Sequence, residues 1–504
     1  MDVDVAIVGA GPVGLVLGIL LAQRGRSVVI LEQWPRAYPL PRAVHFDHEV
    51  GRLLQSCGVG EELRAVSEPA EVYEWRNGEG TTLLRFGRIG TARSGWPFSS
   101  MFCQPEVEAQ LEARARSLPS LEIRRGVRVE GLEQHDDHVV VRHGAGTLRT
   151  SYVVGCDGAN STVRDLLGIT MDDRGFFYDW LIVDVILDEP RVFDPINLQI
   201  CDPRRPTTAV SGGPGRRRWE FMRLPDERLE DLGEESTAWK LLAPWDVHPG
   251  NARIERHAVY TFAARVADAW QVGRAFLAGD AAHQMPPFAG QGMCAGIRDA
   301  ANLAWKLDLV IARGAGSDLL ATYGEERRPS AVAAVEFSME LGKVICVPDP
   351  AEAKARDDAM AAAVTDEISA VADLPGIASG VVDAGTTRAG ELFPQGTVGG
   401  RWFDDVHGAG WRLVTVDPDA ADLDSSLADW LDSIGGTVVD LRGTAPDLAA
   451  WFVDNDVQWA LQRPDFYLYG TARDLAGAAQ LVESLHRWLA PDQDAEDALG
   501  EERS

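Results

Sequence analysis

Short apolar runs and glycine turns alternate at the start of the chain. Val3–Val8 is an apolar run rich in β-branched residues, and Val28–Glu32 is a second one. The segment Pro12–Gln23 between them is apolar and long enough for a helix, with its proline in the first turn. This order predicts two parallel strands joined by a right-handed crossover helix.

The middle of the chain changes to a pattern typical of antiparallel sheet. Residues 72–97 and 176–269 contain stretches of alternating apolar and polar positions, such as 180–187 and 218–223, separated by turn residues. These two segments predict a sheet that is inserted into the α/β scaffold.

Helical periodicity and a second α/β pattern occupy much of the remaining chain. Residues 105–116, 293–312 and the alanine-rich 330–372 predict helices, and Asp47 is placed to cap the start of another. After Pro375, short strand-like segments alternate with helical ones. This change in the pattern of strand-like and helical segments predicts a separate small α/β domain.

Composition and charge limit the partners and the location. The 504 residues include 48 basic and 77 acidic ones, and the net charge of −29 disfavours nucleic acid or an anionic membrane as a partner. The six cysteines are scattered without a C-x-x-C pair, so we expect no metal site and predict a reduced, cytoplasmic protein. The apolar run 5–22 is long enough to span a membrane, but its glycines and the preceding Asp2 and Asp4 favour a strand, a turn and a helix.

A glycine motif follows the first predicted strand. In Gly9-x-Gly11-x-x-Gly14, the first glycine allows a tight turn, the second lets a pyrophosphate approach the backbone, and the third allows the helix to pack on the strand. Glu32 ends the next strand, where a carboxylate can accept the ribose hydroxyls of a dinucleotide. The motif predicts dinucleotide binding without choosing between FAD and NAD.

Two further motifs follow apolar strands later in the chain. The first has the form Asp157-Gly158-x-x-Ser161-x-x-Arg164. The second begins with Gly279-Asp280 and continues through Pro286-Pro287 to Gly290-Gln291-Gly292. With the N-terminal glycines, the chain resembles the flavoprotein aromatic hydroxylases, the group with the para-hydroxybenzoate hydroxylase fold.

Additional stretches resemble 3-(3-hydroxyphenyl)propionate hydroxylases within that group. They include Arg217-Arg218-x-Glu220-Phe221-Met222, and they cover nearly the whole chain to about residue 345. The resemblance resumes at Leu392-Phe393-Pro394-Gln395 and Arg463-Pro464-Asp465, as in relatives with a thioredoxin-like C-terminal domain. Because a C-x-x-C pair is absent from the sequence, we expect that domain to serve in dimer contact or support rather than in redox chemistry.

The resemblance implies an α/β fold in three parts. A Rossmann-like FAD-binding domain contains an inserted, mostly antiparallel β-sheet substrate domain, and a thioredoxin-like α/β domain follows. The expected divisions are an FAD-binding domain at 1–175 and 270–345 with a sheet insertion at about 72–97, a substrate domain at 176–269, a helical connector at 346–385, a thioredoxin-like domain at 386–490 and an acidic tail at 491–504.

The implied activity is that of a single-component monooxygenase. NADH or NADPH reduces FAD as a transient partner, O₂ forms a flavin C4a-hydroperoxide, and an oxygen atom passes to a phenolic ring. A tailoring hydroxylase or epoxidase acting on a larger polyketide-like aromatic is an alternative within the class. An FAD dehydrogenase or oxidase, or a flavin-binding protein without turnover, would also bear the glycine motif.

The family motifs also imply residues that bind the cofactor. Asp280 would bind a ribitol hydroxyl, Arg42 and Gln104 the ribitol or phosphates, and the Val129 backbone would flank adenine. The backbone from Gly290 onward would place N–H dipoles at the pyrimidine edge of the flavin. The full set is Gly9, Gly11, Pro12, Val13, Gly14, Glu32, Gln33, Arg42, Gln104, Val129, Asp157, Gly279, Asp280, Pro287, Gly290, Gly292, Met293 and Cys294.

Three residues are candidates for a catalytic role. Pro287 follows Pro286 between two cofactor turns, so it should face the reacting edge of the flavin. Two consecutive prolines offer no N–H, fix φ and leave carbonyls facing the pocket, so this stiff loop would solvate water poorly and protect the site. His45 is close to the same region and is either a base or a structural histidine. Arg218, like Arg205, is a candidate cation for a carboxylated phenol, although the run 216–218 also fits a solvated hairpin end.

Other expectations concern neighbouring side chains. Relatives usually have asparagine at the position of Cys294, and its amide helps hold the flavin. We expect Asp157 to pair with Arg164 across its loop. Trp180 and Trp219 are the tryptophans expected to line an aromatic pocket.

Overall fold

The structure is a computed structural model that describes residues 1–87, 89–144, 146–363, 375–417 and 423–490. The first part of the chain, residues 3–166, contains both strands and helices. The strands are β1 (Val3–Val8), β2 (Val28–Glu32), β3 (His45–Asp47), β4 (Ser67–Pro69), β5 (Val72–Arg76), β6 (Thr82–Gly87), β7 (Ser99–Phe102), β8 (Leu121–Arg125), β9 (Val129–Gln134), β10 (Val139–His143) and β11 (Gly146–Gly155). The helices are α1 (Pro12–Gln23), α2 (His48–Leu54), α3 (Gly60–Ala65), α4 (Gln104–Arg116) and α5 (Thr162–Leu166).

The second part of the chain consists mainly of strands, two of them long. The third part begins with short strands and continues with helices. The second contains β12 (Met171–Leu187), β13 (Asn197–Ile200), β14 (Thr207–Ser211), β15 (Arg216–Met222), α6 (Leu229–Leu232), α7 (Glu235–Leu242) and β16 (Ala252–Ala267). The third contains β17 (Gln271–Val272), β18 (Ala275–Leu277), β19 (His283–Gln284), α8 (Gly292–Ala312), α9 (Asp318–Ile345) and α10 (Pro350–Ala361).

The C-terminal part has its own sheet. Its elements are β20 (Thr397–Val398), β21 (Arg401–Trp402), α11 (Phe403–His407), β22 (Arg412–Thr415), α12 (Ser425–Ser433), β23 (Thr437–Asp440), α13 (Pro446–Asp454), β24 (Trp459–Gln462), β25 (Leu468–Ala472) and α14 (Leu475–Leu489).

The first sheet is the scaffold of the Rossmann-like part. Its main order is β17-β18-β11-β1-β2-β8, and β9 and β10 extend from β11 as an antiparallel meander. β1 pairs in parallel with both β2 and β11, as the strand–turn–helix–strand pattern predicts. Both neighbours and α1 cover β1, so Val5 and Ile7 are fully buried.

The second sheet lies next to this scaffold. Its order is β19-β16-β12-β15-β14-β13-β5-β6, and β12 and β16 pair over almost their whole length of 17 and 16 residues. β5 and β6 come from the early segment of the chain and join strands of the later one through a parallel contact with β13. The predicted insertion of a mostly antiparallel sheet is therefore confirmed.

The C-terminal sheet has the order β23-β22-β24-β25. β22 and β23 are parallel, whereas β24 and β25 are antiparallel, and helices connect the strands in a β-α-β-α-β-β-α sequence. This arrangement is the predicted thioredoxin-like α/β unit. α13, between β23 and β24, is one of the helices that alternate with these strands.

One helix prediction was wrong at its boundaries. α9 begins at Asp318 and continues through Pro329 to Ile345, whereas the prediction started only after that proline. Pro329 is tolerated because the helix packs on α8 and its stability comes largely from buried side chains. α10 is a separate helix, and the predicted helical residues 364–372 and the acidic tail lie outside the described residues.

Membrane-spanning helices were searched for among the described residues. No helix there combines the length and the apolar character needed to cross a bilayer.

Candidate active site

A cavity of about 820 Å³ lies between the parallel sheet and the antiparallel sheet. Its lining includes the start of α1, the loop before α8, and side chains from β5, β12, β14, β15 and β16. The volume is in the range of small-molecule sites in proteins. The cavity therefore joins the predicted cofactor turns to the predicted substrate sheet.

The N-terminal glycine turn has the geometry that a phosphate needs. A Cβ atom on Gly9 would overlap the Cys156 carbonyl oxygen, and one on Gly14 would overlap the carbonyl oxygen of Gly9. Gly11 instead faces open space and lines the cavity with Pro12 and Val13. No side chain of the described residues caps the start of α1, so its N–H groups are available to an anion.

Residues expected at the adenosine end lie beside this turn. The carboxylate of Glu32 accepts hydrogen bonds from the Ala10 and Trp34 amides, each at 2.9 Å, and so fastens the glycine turn to β2. Gln33 is exposed, while Val129 is buried at the start of β9. All three lie outside the lining of the cavity, so their contact with adenosine stays a prediction.

The loop that begins at Asp157 is held by hydrogen bonds other than the predicted pair of Asp157 with Arg164. The Asp157 carboxylate accepts hydrogen bonds from the Ser161 hydroxyl and the Val163 amide. Arg164 donates instead to the carbonyl oxygens of Ala159 and Ala281, so the predicted Asp157–Arg164 pair was wrong. Ser161 also caps α5, and a local Asp–Ser–amide motif satisfies this loop without a cation.

The Gly279–Asp280 turn is supported from below by a buried charge cluster. Asp299 accepts a hydrogen bond from the Gly279 amide at 3.1 Å, pairs with His283 at 2.7 Å, and pairs with Arg327 at 3.1 Å. His283 is fully buried, and its ring helps to hold Asp299 beneath the turn. Asp280 points into the cavity, and the surrounding protein raises its pKa by desolvation.

The start of α8 forms another wall of the cavity. Gly290 has a φ of +64°, and a Cβ atom there would lie 2.7 Å from Nδ1 of His45, so only glycine fits. Gly292 and Met293 line the cavity, and no side chain of the described part of the chain caps this helix. The uncapped N-terminus presents N–H dipoles where the pyrimidine edge of a flavin is expected.

Cys294 lies one residue further along and is fully buried. Its Sγ atom is 3.7 Å from the Gly290 carbonyl oxygen and 3.9 Å from that of His45. Burial raises the pKa of this thiol far above its usual range, so it stays protonated. Cys294 is outside the cavity lining, and it supports the turn from behind.

Arg42 and Gln104 both line the cavity. Arg42 is exposed, with its guanidinium 4.5 Å from the ring centre of Tyr38. Both ends of the Gln104 amide already bind protein: its oxygen accepts from the Ala43 amide at 2.6 Å, and its nitrogen donates to Glu108 at 2.6 Å. Gln104 therefore holds the backbone beside Arg42.

His45 and Pro287 are brought together at the cavity, as their sequence positions suggest. Nδ1 of His45 lies 3.1 Å from the Gly290 carbonyl oxygen, so Nδ1 bears the proton. Burial lowers the pKa of His45, and the ring is neutral. The carbonyl of Pro287 accepts a hydrogen bond from the Gly290 amide at 2.8 Å, which closes this loop.

Arg218 lines the cavity but is not a free cation. Its guanidinium forms two hydrogen bonds with Asp184, at 2.6 and 3.0 Å, and also donates to the carbonyl oxygens of Pro41 and Arg42. The expectation of a solvated hairpin end was wrong for Arg218 and for Arg217, which are 4% and 2% exposed.

The pairing of Arg218 follows from the sheet, because β15 places it directly opposite Asp184 on β12. Arg205, the other candidate cation, forms an ion pair with Glu227 and lies outside the cavity lining. Neither arginine is therefore available as an unpaired partner for a substrate carboxylate.

A carboxyl that sequence reasoning left without a role lies two residues beyond Arg218. Glu220 is 6% exposed and lines the cavity. Burial raises the pKa of Glu220 to about 7, because desolvation and the nearby Asp184 outweigh the charges of Arg218 and Arg256. The available signal was the spacing of two on a strand, which puts Glu220 and Arg218 on one face.

The aromatic wall is formed by other rings than the predicted tryptophans. Trp180 packs under Phe262 and Phe288, and Trp219 packs against Phe193 and Trp245 on the other side of the sheet. Both tryptophans are fully buried and lie outside the cavity lining. The aromatic side chains that do line it are Tyr73, Phe86, Phe98, Tyr260, Phe262, Phe288, Phe337 and Tyr467.

The C-terminal part also contributes to the cavity. Tyr467 lines it and donates a hydrogen bond to Glu49 at 2.6 Å. Glu49 and Asp47 both pair with Arg298, which donates at 3.2 Å to Gln291 at the start of α8. A continuous buried network thus connects the C-terminal part to the predicted flavin turn.

These observations show that the site fits FAD. Two helix N-termini and Gly11 offer N–H groups and open space to phosphates and to the pyrimidine edge, while Asp280 offers a carboxylate to a polyol. The donors and acceptors match those of a flavin dinucleotide. The individual contacts of the predicted residues remain predictions.

Comparisons with known proteins agree with this chemistry. A family model described as an FAD binding domain matches residues 2–338. A probable NADH-specific resorcinol 4-hydroxylase of Rhodococcus jostii is 39% identical, over 97% of this chain and 96% of that protein. A 3-(3-hydroxy-phenyl)propionate/3-hydroxycinnamic acid hydroxylase of a Mycobacterium species is 39% identical over 71% of this chain and 62% of its own length.

A solved structure extends the similarity to the whole architecture. The ternary complex of aklavinone-11 hydroxylase with FAD and aklavinone has a TM-score of 0.75 and 27% identity, covering 97% of this chain and 99% of that one. The fold, the cofactor motifs and the full-length relative point to one conclusion. The chain belongs to the FAD-dependent aromatic hydroxylases with the para-hydroxybenzoate hydroxylase fold.

Proposed function

We propose that this enzyme uses NADH, bound FAD and O₂ to hydroxylate a small, uncharged phenol. The observation that supports it most is the cavity that joins the predicted flavin turns to an aromatic sheet wall. The full-length relative described as an NADH-specific resorcinol hydroxylase favours NADH as the reductant. FAD, when bound, supplies the electron transfer and the activation of oxygen.

The residues of the chain supply position and a dry environment. The Gly9–Gly14 turn and the start of α8 would hold the phosphates and the pyrimidine edge, and Asp280 the ribitol. Pro287 and Phe288 lie in the loop between these turns, and both line the cavity. Phe288 is 7% exposed and anchors this loop in the aromatic core below the sheet, which limits the access of water.

Charge at the sheet wall favours an uncharged substrate. The cations Arg218 and Arg256 face the anion Asp184 at 2.6 and 3.7 Å, and both also donate to backbone carbonyls near Pro41. A substrate carboxylate would have to compete with Asp184 for them, at a desolvation cost. A neutral phenol needs only a hydrogen-bond acceptor and an apolar surface for its ring.

The experiment is a substrate comparison with the full-length, FAD-loaded protein. We expect denaturation to release FAD, and we expect resorcinol to stimulate NADH oxidation more than 3-(3-hydroxyphenyl)propionate does. Product that contains oxygen from ¹⁸O₂ would separate a monooxygenase from an oxidase. Stimulated NADH oxidation that yields only peroxide for every phenol would contradict the proposal.

A second candidate substrate class is a larger polycyclic aromatic. Similarity to aklavinone-11 hydroxylase extends over 97% of the chain, including the C-terminal part. Inclusion of aklavinone in the same assay tests this class directly. The predicted cytoplasmic location and homodimer belong to the same proposal, and size-exclusion chromatography with light scattering tests the second of them.

A further inference from the structure

Glu220 is a buried carboxyl without a hydrogen-bond partner. It lies on β15 and is 6% exposed, and what remains accessible faces the cavity. No described residue donates a hydrogen bond to its carboxylate, and the nearest cation, Nη1 of Arg218, is 3.8 Å from Oε1. Buried carboxyls in proteins are normally paired, so an unpartnered one in a cavity indicates that its partner is a ligand.

The polar neighbours of Glu220 are already committed elsewhere. Thr208 lies directly opposite on β14, but its hydroxyl donates to Gln199 at 2.7 Å. The hydroxyl of Tyr73 on β5 donates to the same amide oxygen at 3.2 Å. Neither hydroxyl therefore satisfies Glu220.

The charged and titratable groups around Glu220 come from four strands of the sheet. Arg218 shares β15, Asp184 lies on β12, Arg256 lies on β16, and the phenol of Tyr73 comes from β5. Asp184 lies 2.6 Å from Arg218 and 3.7 Å from Arg256. The carboxylate of Glu220 is further from Arg218, at 3.8 Å. The cluster thus leaves Glu220 free to exchange a proton while two cations remain close by.

We propose that Glu220 is a catalytic residue that accepts the hydroxyl proton of the phenolic substrate. The proposal rests on the proposed function, and it adds the identity of the base. The O–H bond of the phenol breaks, its electron pair stays on the oxygen, and a new O–H bond forms on Glu220. No redox change is involved in this step.

The consequence is a ring that reacts more readily with electrophilic oxygen. A phenolate is richer in electrons at its ortho and para carbons than the neutral phenol. After oxygen transfer, the ring carbon loses its hydrogen as a proton to solvent, and the substrate oxygen takes back the proton held by Glu220. Glu220 is then again a carboxylate.

The environment of Glu220 suits this exchange near neutral pH. Its pKa of about 7 means that both protonation states are populated there, as a general base requires. A base must be ionised, so hydroxylation is expected to rise as pH increases through about 7 and then level off. A simple phenol ionises only near pH ~10 without such a base.

The test compares Glu220→Gln with the unaltered FAD-loaded enzyme, with resorcinol as substrate. Glutamine keeps the size and a hydrogen-bond acceptor but cannot take the proton. We expect hydroxylation at neutral pH to fall by about a hundredfold, the rise near pH 7 to disappear, and activity to return only toward the pKa of the phenol. The dissociation constant of resorcinol, measured from the perturbation of the flavin absorbance, should change by less than about threefold.

Two more variants make the result decisive. Glu220→Asp retains a carboxyl and should retain a pH-dependent rise, with a lower maximal rate. Glu74→Gln alters a carboxyl that is 7% exposed in the same sheet, pairs with Arg76 and lies outside the cavity lining, and it should leave the pH profile unchanged.

An unchanged pH profile and rate in Glu220→Gln would overturn the proposal, as would an equal change in Glu74→Gln. If Glu220→Gln does not fold, loss of the rise near pH 7 in Glu220→Asp would overturn it as well. Failure of the unaltered enzyme to hydroxylate any phenol would instead contradict the proposed function.

Discussion

Among single residues, Cys294 stands where the family resemblance leads us to expect asparagine. Its thiol lies behind the flavin turn, near the carbonyl oxygens of Gly290 and His45. A thiol is a weak donor, so the turn relies mainly on the hydrogen bond between Gly290 and Pro287 and on the close fit of His45 over Gly290. Backbone hydrogen bonding and this close packing therefore hold the turn.

We therefore expect Cys294→Asn to preserve folding and FAD binding and to leave product formed per NADH equal or higher. The new amide can donate to the same two carbonyl oxygens at the cost of a slightly larger side chain. Thermal unfolding, FAD retention and the ratio of product to NADH are the measurements. Abolished turnover with FAD still bound, in this variant or in Cys294→Ser, would assign a specific role to the thiol.

Among the structural elements, the turn before α1 shows two different uses of glycine. Gly14 is closed off by the backbone of Gly9, whereas Gly11 faces open space at the cavity. The first use serves packing and the second serves a ligand. Substitution by alanine at each position can therefore distinguish the two roles.

Gly14→Ala should destabilise the folded protein by about 1–3 kcal/mol, because the methyl group overlaps backbone. Gly11→Ala should change the free energy of unfolding of the apoprotein by only about 0.5 kcal/mol but weaken FAD about tenfold, because the methyl group occupies the space before the phosphates. Denaturant unfolding and FAD titration measure the two effects. Normal FAD affinity in Gly11→Ala would mean that the pyrophosphate binds elsewhere.

The loop between β19 and α8 is a second element with a testable role. Pro287 begins a 3₁₀ turn closed by the Gly290 amide, and the following Phe288 anchors it in the aromatic core. Pro287→Gly adds conformational freedom of about 1 kcal/mol, so water should reach the reacting edge more often.

Product formed per NADH should fall several-fold in Pro287→Gly, with more peroxide and with flavin reduction largely unchanged. Pro350→Gly, at the exposed start of α10, is the matched control and should leave the ratio unaltered. An unchanged ratio in Pro287→Gly would remove this loop from the protection of the site.

For the whole molecule, the most consequential feature is the contact between the C-terminal part and α8 and α9. Arg463 is fully buried and forms ion pairs with Glu326 at 2.6 Å and Asp465 at 2.7 Å, while Lys306 pairs with Glu326 at 3.0 Å. Burial opposes ionisation of Glu326, yet Arg463 and Lys306 together lower its pKa to about 2. The pairs connect the two parts through an interior with little water.

Loss of the cation from this cluster should be costly. Arg463→Met leaves two buried carboxylates undercompensated and should lower the free energy of unfolding by about 3–5 kcal/mol. Arg473→Met breaks an exposed ion pair with Asp456 and should change the free energy of unfolding by about 0.5 kcal/mol or less. Chemical denaturation of both variants checks the difference, and equal small effects would contradict a stabilising role for the buried pairs.

The same cluster makes the stability of the folded protein depend on pH. The pKa of Glu326 in the folded protein, about 2, lies below the value of about 4.3 for an unfolded glutamate. Its stabilisation is therefore fully present above that unfolded value and is lost as pH falls toward 2. The acid sensitivity of Arg463→Met should be weaker in this window than that of the unaltered protein.

The sequence by itself determined the features that depend on neighbours along the chain. Glycines at fixed spacing after an apolar run predicted the turn before α1, because the tight turn and the close helix packing leave no room for Cβ atoms. The parallel pairing of β1 and β2 and the capping of α2 by Asp47 followed in the same way. Resemblance to relatives extended this to FAD and to the order of the domains.

Only the tertiary structure decided which polar side chains are free to act. Arg218 was a plausible substrate cation until the pairing of β12 with β15 placed Asp184 beside it, 34 residues away in the chain. Glu220 became a candidate base because burial raises its pKa and no donor reaches it among the described residues. Desolvation and pairing depend on contacts between distant segments, and these contacts have no periodic signature in the sequence.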